Sequence, residues 1–201
     1  MDSWIMSSEW RARATLVFLV ACFYAGVVVI NNSLLFSWAA DGGASYRYWI
    51  YPPAGVRLAL ILLLGWQGLL GYFIAVLALI ASGVFPELHG LEDALVIAAG
   101  SALSIWGALL IYGWITGVKT PWDRLTSRHL PALALFVSIL SAAVACLLKA
   151  WLALELLEDF ARNVSLTVLG DALGTIIVLA ILIRLRKAYK RSVQAEQSEA
   201  V

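Results

Sequence analysis

Trp49-Ile50-Tyr51-Pro52-Pro53-Ala54-Gly55-Val56-Arg57 is the stretch whose reading decides the fold. Two prolines run straight into an apolar segment, Leu58 to Gly65, with one charge just inside it. Proline donates no backbone hydrogen bond, yet it fits the first turn of a helix, where that donor has no partner anyway. The stretch therefore predicts an abrupt helix entry, preceded by aromatic residues, with Arg57 about one turn within. If that helix lies in a membrane, Arg57 sits below the interface and needs a partner.

Composition says that it does lie in a membrane. Of 201 residues, 62% are hydrophobic and 13% charged. Soluble domains run roughly half apolar and a quarter charged, and a water-exposed surface could not hide this excess. The mean hydropathy of +0.88 points the same way. The expected class is all-α, a polytopic integral membrane helix bundle. No basic segment with interleaved aromatics is present, so nucleic acid is excluded as a partner. Cys22 and Cys146 both fall in apolar runs and read as buried small hydrophobes rather than a disulfide.

Working outward, residues 1–13 are polar with Trp4, Trp10, Arg11 and Arg13, a composition suited to the interface. The run 14–36 gives a full span, since about 20 residues cross the hydrocarbon core, and it is too long for a signal-peptide core. A connector over 37–50 carries Gly42-Gly43 and the aromatics Tyr46, Tyr48 and Trp49. The next apolar block reads as two helices, 53–64 and 69–85, broken at Gly65-Trp66-Gln67-Gly68. Twelve residues rise only about 18 Å, short of a ~30 Å core. Either the aromatic lead Tyr46 to Tyr51 completes that crossing, or the bilayer thins there. Further spans follow at 95–115, 130–157 and 164–185, with a polar tail at 192–201. Gly100, Ser104 and Gly107 form a small-residue stripe that permits close packing.

The charges set the topology. Lysines and arginines collect at the N-terminus, at 119–129 and at 184–191; carboxylates collect at 86–93 and 155–159. Positive charge stays on the cytoplasmic side. The expectation is about six transmembrane helices with both termini cytoplasmic. Residues 1–191 read as a single transmembrane domain.

Three ionisable residues fall inside spans: Arg57, Lys149 and Asp171. At 1.5 Å per residue each lies about 6–12 Å below the outer boundary, a shared depth that would let them meet. A lone charge there costs a few kcal/mol, so mutual pairing is expected. Thr167 and Thr175 flank Asp171 by one turn each, and Gly170 and Gly174 adjoin it, giving one polar, small-sided face. Two readings stand: a buried ion pair that fixes helix packing, or an outward-facing pocket lined also by Tyr48, Trp49 and Tyr51. The surplus positive charge of such a pocket suits a small anionic or carbonyl-bearing ligand.

Other chemistry finds no support. His89 and His129 lack a second ligand at metal spacing, and no Ser-His-Asp or Cys-His arrangement stands out. Gly42-Gly43 precedes no strand–helix unit and is no nucleotide loop. The sequence predicts no catalytic centre, no cofactor and no metal.

Two stretches resemble one family. Tyr51-Pro52-Pro53-Ala54-Gly55 and the leucine-rich run after it resemble the W-P-P-(A/T)-G entry of the bacterial membrane-associated sensor domain of the first type (the MASE family). Gly170-Asp171-Ala172-Leu173-Gly174 resembles the G-D-A-x-G of its last helix, and Trp122-Asp123-Arg124 fits its short basic inner loop. The resemblance covers most of 14–190 and carries over Pro52, Pro53, Gly55, Gly170, Asp171 and Gly174 as motif positions. It implies a membrane input domain of the kind joined to histidine kinase or diguanylate cyclase output domains. The chain departs in having Tyr51 where tryptophan is commoner, in about six spans where about eight are usual for the family, and in no output domain after Arg191. A free-standing relative, an excised input domain or a separate signalling partner would each account for the last point, as would a homo-oligomer for signalling between copies. The competing class is a small membrane transporter or substrate-capture subunit, and a third is an assembly factor whose charges are structural only.

Overall fold

The computed structural model describes residues 2–35, 49–85, 90–117, 129–152 and 160–199. All regular structure among them is helical. Helix α1 spans Asp2–Ile30 and closes in a π-helical turn, Asn31–Leu35. It is followed by α2 (Pro52–Leu64), α3 (Trp66–Ala81), α4 (Leu91–Thr116), α5 (Leu130–Trp151) and α6 (Phe160–Glu199). Among the described residues, four stretches are long and apolar enough to cross a membrane: Glu9–Ser33, Leu91–Thr116, Leu130–Trp151 and Phe160–Arg186. Helices α2 and α3, at 13 and 16 residues, are shorter. At 1.5 Å per residue they reach only about 20 and 24 Å. Tyr48, His89, Trp122-Asp123-Arg124 and the carboxylates of 155–159 lie outside the described residues.

The break between α2 and α3 is narrower than the four residues expected. Gly65 alone makes it, with φ 59° and ψ −128°, a conformation that a side chain resists. Gly68 serves packing instead: a Cβ there would collide with the Leu60 carbonyl and lie 3.0 Å from the Ile61 Cα. The two helices are therefore an antiparallel hairpin in backbone contact. Helix α3 stops at Ala81 rather than Phe85 because Gly83, at φ 74°, ends it in a Schellman turn. The Val84 N–H donates to the Leu79 carbonyl (3.1 Å) and the Gly83 N–H to that of Ile80 (2.9 Å). Helix α5 ends at Trp151, short of 157, and α6 starts at Phe160 and continues through the expected polar tail to Glu199.

Helix α2 does not begin at a membrane boundary. The Tyr51 N–H donates to the carbonyl of Gly170 (3.0 Å), ten residues inside α6. That is about 15 Å from the start of α6. A helix start at such depth normally leaves four N–H groups without partners in a medium that offers none. Here Pro52 and Pro53 have no N–H, the Ala54 N–H donates to the Tyr51 carbonyl (3.0 Å), and that of Tyr51 is taken by Gly170. The double proline thus permits a helix to start where water does not reach.

Partner positions fix the directions. Tyr51 meets Gly170 and Gly174, and Gly55 meets Gly174, Thr175 and Val178, so α2 and α6 run parallel. A Cβ on Gly55 would come within 2.7 Å of the Val178 Cβ and 2.8 Å of the Thr175 Cα; one on Gly174 would strike the Tyr51 carbonyl. Helix α6 packs between α2 and α5, α4 joins α5 to α3, and α3 lies against both α1 and α2. Of the small-residue stripe on α4, Gly100 receives Leu148 and Ser104 is buried, whereas Gly107 faces open space. Cys146 is buried as expected; Cys22 lies exposed on the outer face of α1, and neither is in a disulfide.

In lipid, burying apolar side chains adds little to helix association, so close backbone packing carries more of the weight. Gly174→Ala should lower stability by about 1–3 kcal/mol, because its obstacle is backbone that cannot rotate away. Gly107→Ala should be neutral. Thermal unfolding of the two variants in detergent, side by side, checks this; equal melting temperatures would refute the close-packing account.

Candidate functional site

Arg57 sits on the second turn of α2, and helical side chains lean toward their own N-terminus. The guanidinium is therefore carried back toward the level where Tyr51 meets α6. There its Nη2 pairs with Oδ2 of Asp171 and also donates to Oγ of Ser141 on α5 (3.2 Å). Its Nη1 donates to the Tyr72 hydroxyl on α3 (3.4 Å), with Cζ 6.0 Å from the centre of that ring. Tyr72 in turn meets Tyr24 of α1 edge to face, ring centroids 5.0 Å apart. One side chain thus links α2 to α3, α5 and α6 directly, and to α1 through Tyr72. Both charged side chains are almost wholly covered, at 11% and 7% exposure.

The site is central in depth. Ser141 lies eleven residues from Leu130 and ten from Trp151, the two ends of α5. Asp171 is eleven residues from Phe160 and fifteen from Arg186, the ends of the apolar part of α6. Two features explain why the shared depth estimated from sequence needs revising. That estimate put the start of α2 at the outer boundary, whereas it lies level with Gly170. It also extended α5 to 157, whereas α5 ends two residues beyond Lys149.

Arg57 and Asp171 are brought together; Lys149 is placed differently. It is eight residues past Ser141 on α5, about 12 Å along the axis, and half-buried near the helix end. Thr175 is buried one turn below Asp171, against the backbone next to Gly55. Thr167, one turn above, donates its hydroxyl to the Asn163 carbonyl (2.8 Å). Pro52, Pro53, Gly55, Gly170 and Gly174 all belong to the α2–α6 contact just described. Tyr51 is half-buried at that contact, and Trp49 is half-exposed beside it.

Tyr24, Tyr72 and Ser141 were not singled out from sequence. Their signal was present: each is a polar group in the middle of an apolar run rather than at its ends, where interfacial tyrosines gather. Asn31, buried to 2% exposure in the π-helical turn of α1, belongs with them. Among the described residues no group of His, Cys, Asp or Glu could hold a metal ion.

The double-proline entry and the Gly-Asp-Ala-Leu-Gly segment, separate in sequence, are therefore two halves of one contact. A family model for MASE1, the membrane-associated sensor domain of the first type, matches residues 15–201. The chain belongs to the MASE1 family. Comparison with curated proteins and with solved structures returns no match. MASE1 is a family of membrane sensory input domains rather than of catalytic ones, and the all-helical bundle with four membrane-length apolar stretches agrees. The motif positions of this MASE1 domain are explained physically: the prolines remove donors, the glycines admit backbone, and Asp171 holds the arginine.

Removing one partner of a buried ion pair leaves the other uncompensated, at a cost of about 3–5 kcal/mol, while removing both costs much less. A guanidinium cannot shed its charge, whereas a carboxyl can be neutralised by a proton. Asp171→Ala should therefore lower accumulation and melting temperature more than Arg57→Ala. The double variant should recover part of the Asp171→Ala loss. Additive losses in this double-mutant cycle would argue against direct coupling.

Proposed function

We propose that this MASE1 domain is a multi-pass sensory input domain of a bacterial inner membrane, and that it signals by repacking α2 against α5 and α6 around the Arg57–Asp171 pair. The observation that carries the reading is the convergence of four helices on one arginine at mid-depth. A buried charge is poor cement but a good two-state element: its bonds hold only in one geometry, and its desolvation makes intermediate geometries costly. Any stimulus that favours one arrangement shifts the population by its difference in affinity for the two. The stimulus we expect is a small ligand with anionic or carbonyl oxygens, able to compete with Asp171 for Arg57.

Topology supports the direction of transfer. The basic residues at 11–13 and 184–191 favour a cytoplasmic location for both termini. Helix α6 continues without interruption from the site to Glu199, so a shift at Asp171 is carried along one helix to that side. The receiver there would be an output domain such as a histidine kinase or diguanylate cyclase, a separate signalling chain, or a second copy.

One observation favours a second reading, a small transporter or substrate-capture subunit. Discontinuous helices that start near the midplane are characteristic of transporter binding sites, and α2 is such a helix. Membership of a sensor family weighs against it.

Spin labels at Leu63 and Leu185, exposed positions near the far ends of the α2–α6 pair, report the repacking. Pulsed dipolar spectroscopy on Asp171→Asn should show the inter-label distance displaced or broadened by several ångström relative to the parent. An unchanged distance distribution in a folded Asp171→Asn protein would remove the repacking mechanism and leave the pair a packing device.

A further inference from the structure

Helix α6 outlasts its neighbours. Gly55 of α2 meets Gly174, Thr175 and Val178, and the two helices run parallel, so Gly65, ten residues on, comes level with about Arg186. Helix α5 runs the other way: Arg57 ties Ser141 to Asp171, which places Leu130 level with about Leu182. The Tyr112 hydroxyl donates to the His129 carbonyl (3.3 Å), so α4 ends at this level too. Exposed aromatics gather here, Trp66 on α3 and Trp114 on α4, as they do at a membrane surface. Helix α6 nevertheless continues to Glu199, past the ends of α2 and α5, on which it packs. Arg184, Leu185, Arg186, Ala188 and Tyr189, which together cover more than one full turn, are all exposed.

Residues 187–199 have little of their own to keep them helical. A segment of about a dozen residues is marginal as an isolated helix in water. Arg186 and Lys190, and Lys187 and Arg191, are like charges four residues apart, a spacing that weakens a helix. Neither Glu196 nor Glu199 stands three or four residues from a lysine or arginine, so no favourable pair offsets them. Countercharge has to come from outside the segment, and the order of the charges says where it lies. Arg184, Arg186, Lys187, Lys190 and Arg191 fall within about 8 Å of the level of Gly65 along the axis, roughly one Debye length at physiological salt. Glu196 and Glu199 begin about 15 Å out, beyond that reach. Cations where a negative surface is felt, and carboxylates only where it has faded, fit a layer of lipid phosphates.

We propose that segment 184–191 binds the phosphates of anionic lipid headgroups, and that this binding keeps α6 helical as it leaves the bilayer. A phosphate set between two cations one turn apart converts a repulsive pair into a bridged one. The proposal rests on the sensory reading only for what α6 carries. A helix that unwinds at the surface could not pass a shift at Asp171 to the residues beyond, so the charge of the membrane gates transmission.

The test places the full chain in nanodiscs of phosphatidylcholine alone, or of phosphatidylcholine and phosphatidylglycerol in equal amounts, and follows amide hydrogen exchange over 187–199. Exchange should be about tenfold slower in the anionic discs, and about 1 M salt should erase the difference. In the quadruple variant Arg186→Gln/Lys187→Gln/Lys190→Gln/Arg191→Gln, the two lipids should give the same rates. Equal rates in both lipids for the parent chain would overturn the proposal and leave an acidic protein partner as the source of countercharge. A lipid difference that the quadruple variant keeps would overturn it too. Neither result bears on the Leu63–Leu185 distance in Asp171→Asn, so this surface and the sensory reading fail separately.

Discussion

The fold depends on keeping a permanently charged guanidinium in the middle of a helix bundle. Arg57 cannot be neutralised, and its depth puts bulk water out of reach, so the protein must surround it with acceptors. Asp171 supplies the countercharge, Ser141 and Tyr72 supply hydroxyl oxygens, and Tyr72 adds the face of its ring. Each comes from a different helix. That requirement fixes the relative positions of α2, α3, α5 and α6 more tightly than apolar packing in lipid could, because hydrocarbon side chains gain little by leaving hydrocarbon.

The α2–α6 contact solves the second problem that follows from the first. Bringing Arg57 to Asp171 needs α2 to start at mid-depth, and a helix start at mid-depth exposes donors. Prolines remove two of them, the Tyr51 carbonyl takes a third, and the Gly170 carbonyl accepts from Tyr51 itself. Gly174 and Gly55 let the backbones come close enough for this to happen. The motif residues of the MASE1 family thus act as a unit: remove the glycines and the hydrogen bond is too long; remove the prolines and new orphan donors appear. A domain built this way is stable in one arrangement yet poised, since its central bonds are polar, directional and few.

Several parts of this were legible in the chain. Composition named the environment, the charge asymmetry ordered the segments, and two short motifs separated by more than a hundred residues announced a family. Arg57 and Asp171 could be matched because a charge in a span demands an opposite one. Lys149 illustrates where that logic runs out. The same rule nominated it, but depth along α5 depends on where the helix stops, and helix ends are set by local turn chemistry that hydropathy does not report. Cys22 fails for a related reason: an apolar run does not distinguish the face turned to lipid from the face turned to protein.

The sequence by itself therefore determined an all-helical membrane bundle, its family, and the two segments that must meet. Those follow from periodicity, hydropathy and the energetic cost of an unpaired charge, which are properties of the chain. Only the tertiary structure decided that α2 starts at mid-depth, that Gly65 alone turns the hairpin, and that Tyr72, Tyr24 and Ser141 complete the site. These depend on which side chains several helices present to one point in space, and no single segment carries that information. The double proline is where the two levels join. Its sequence permits a helix start without donors, and its position against Gly170 shows why one was needed.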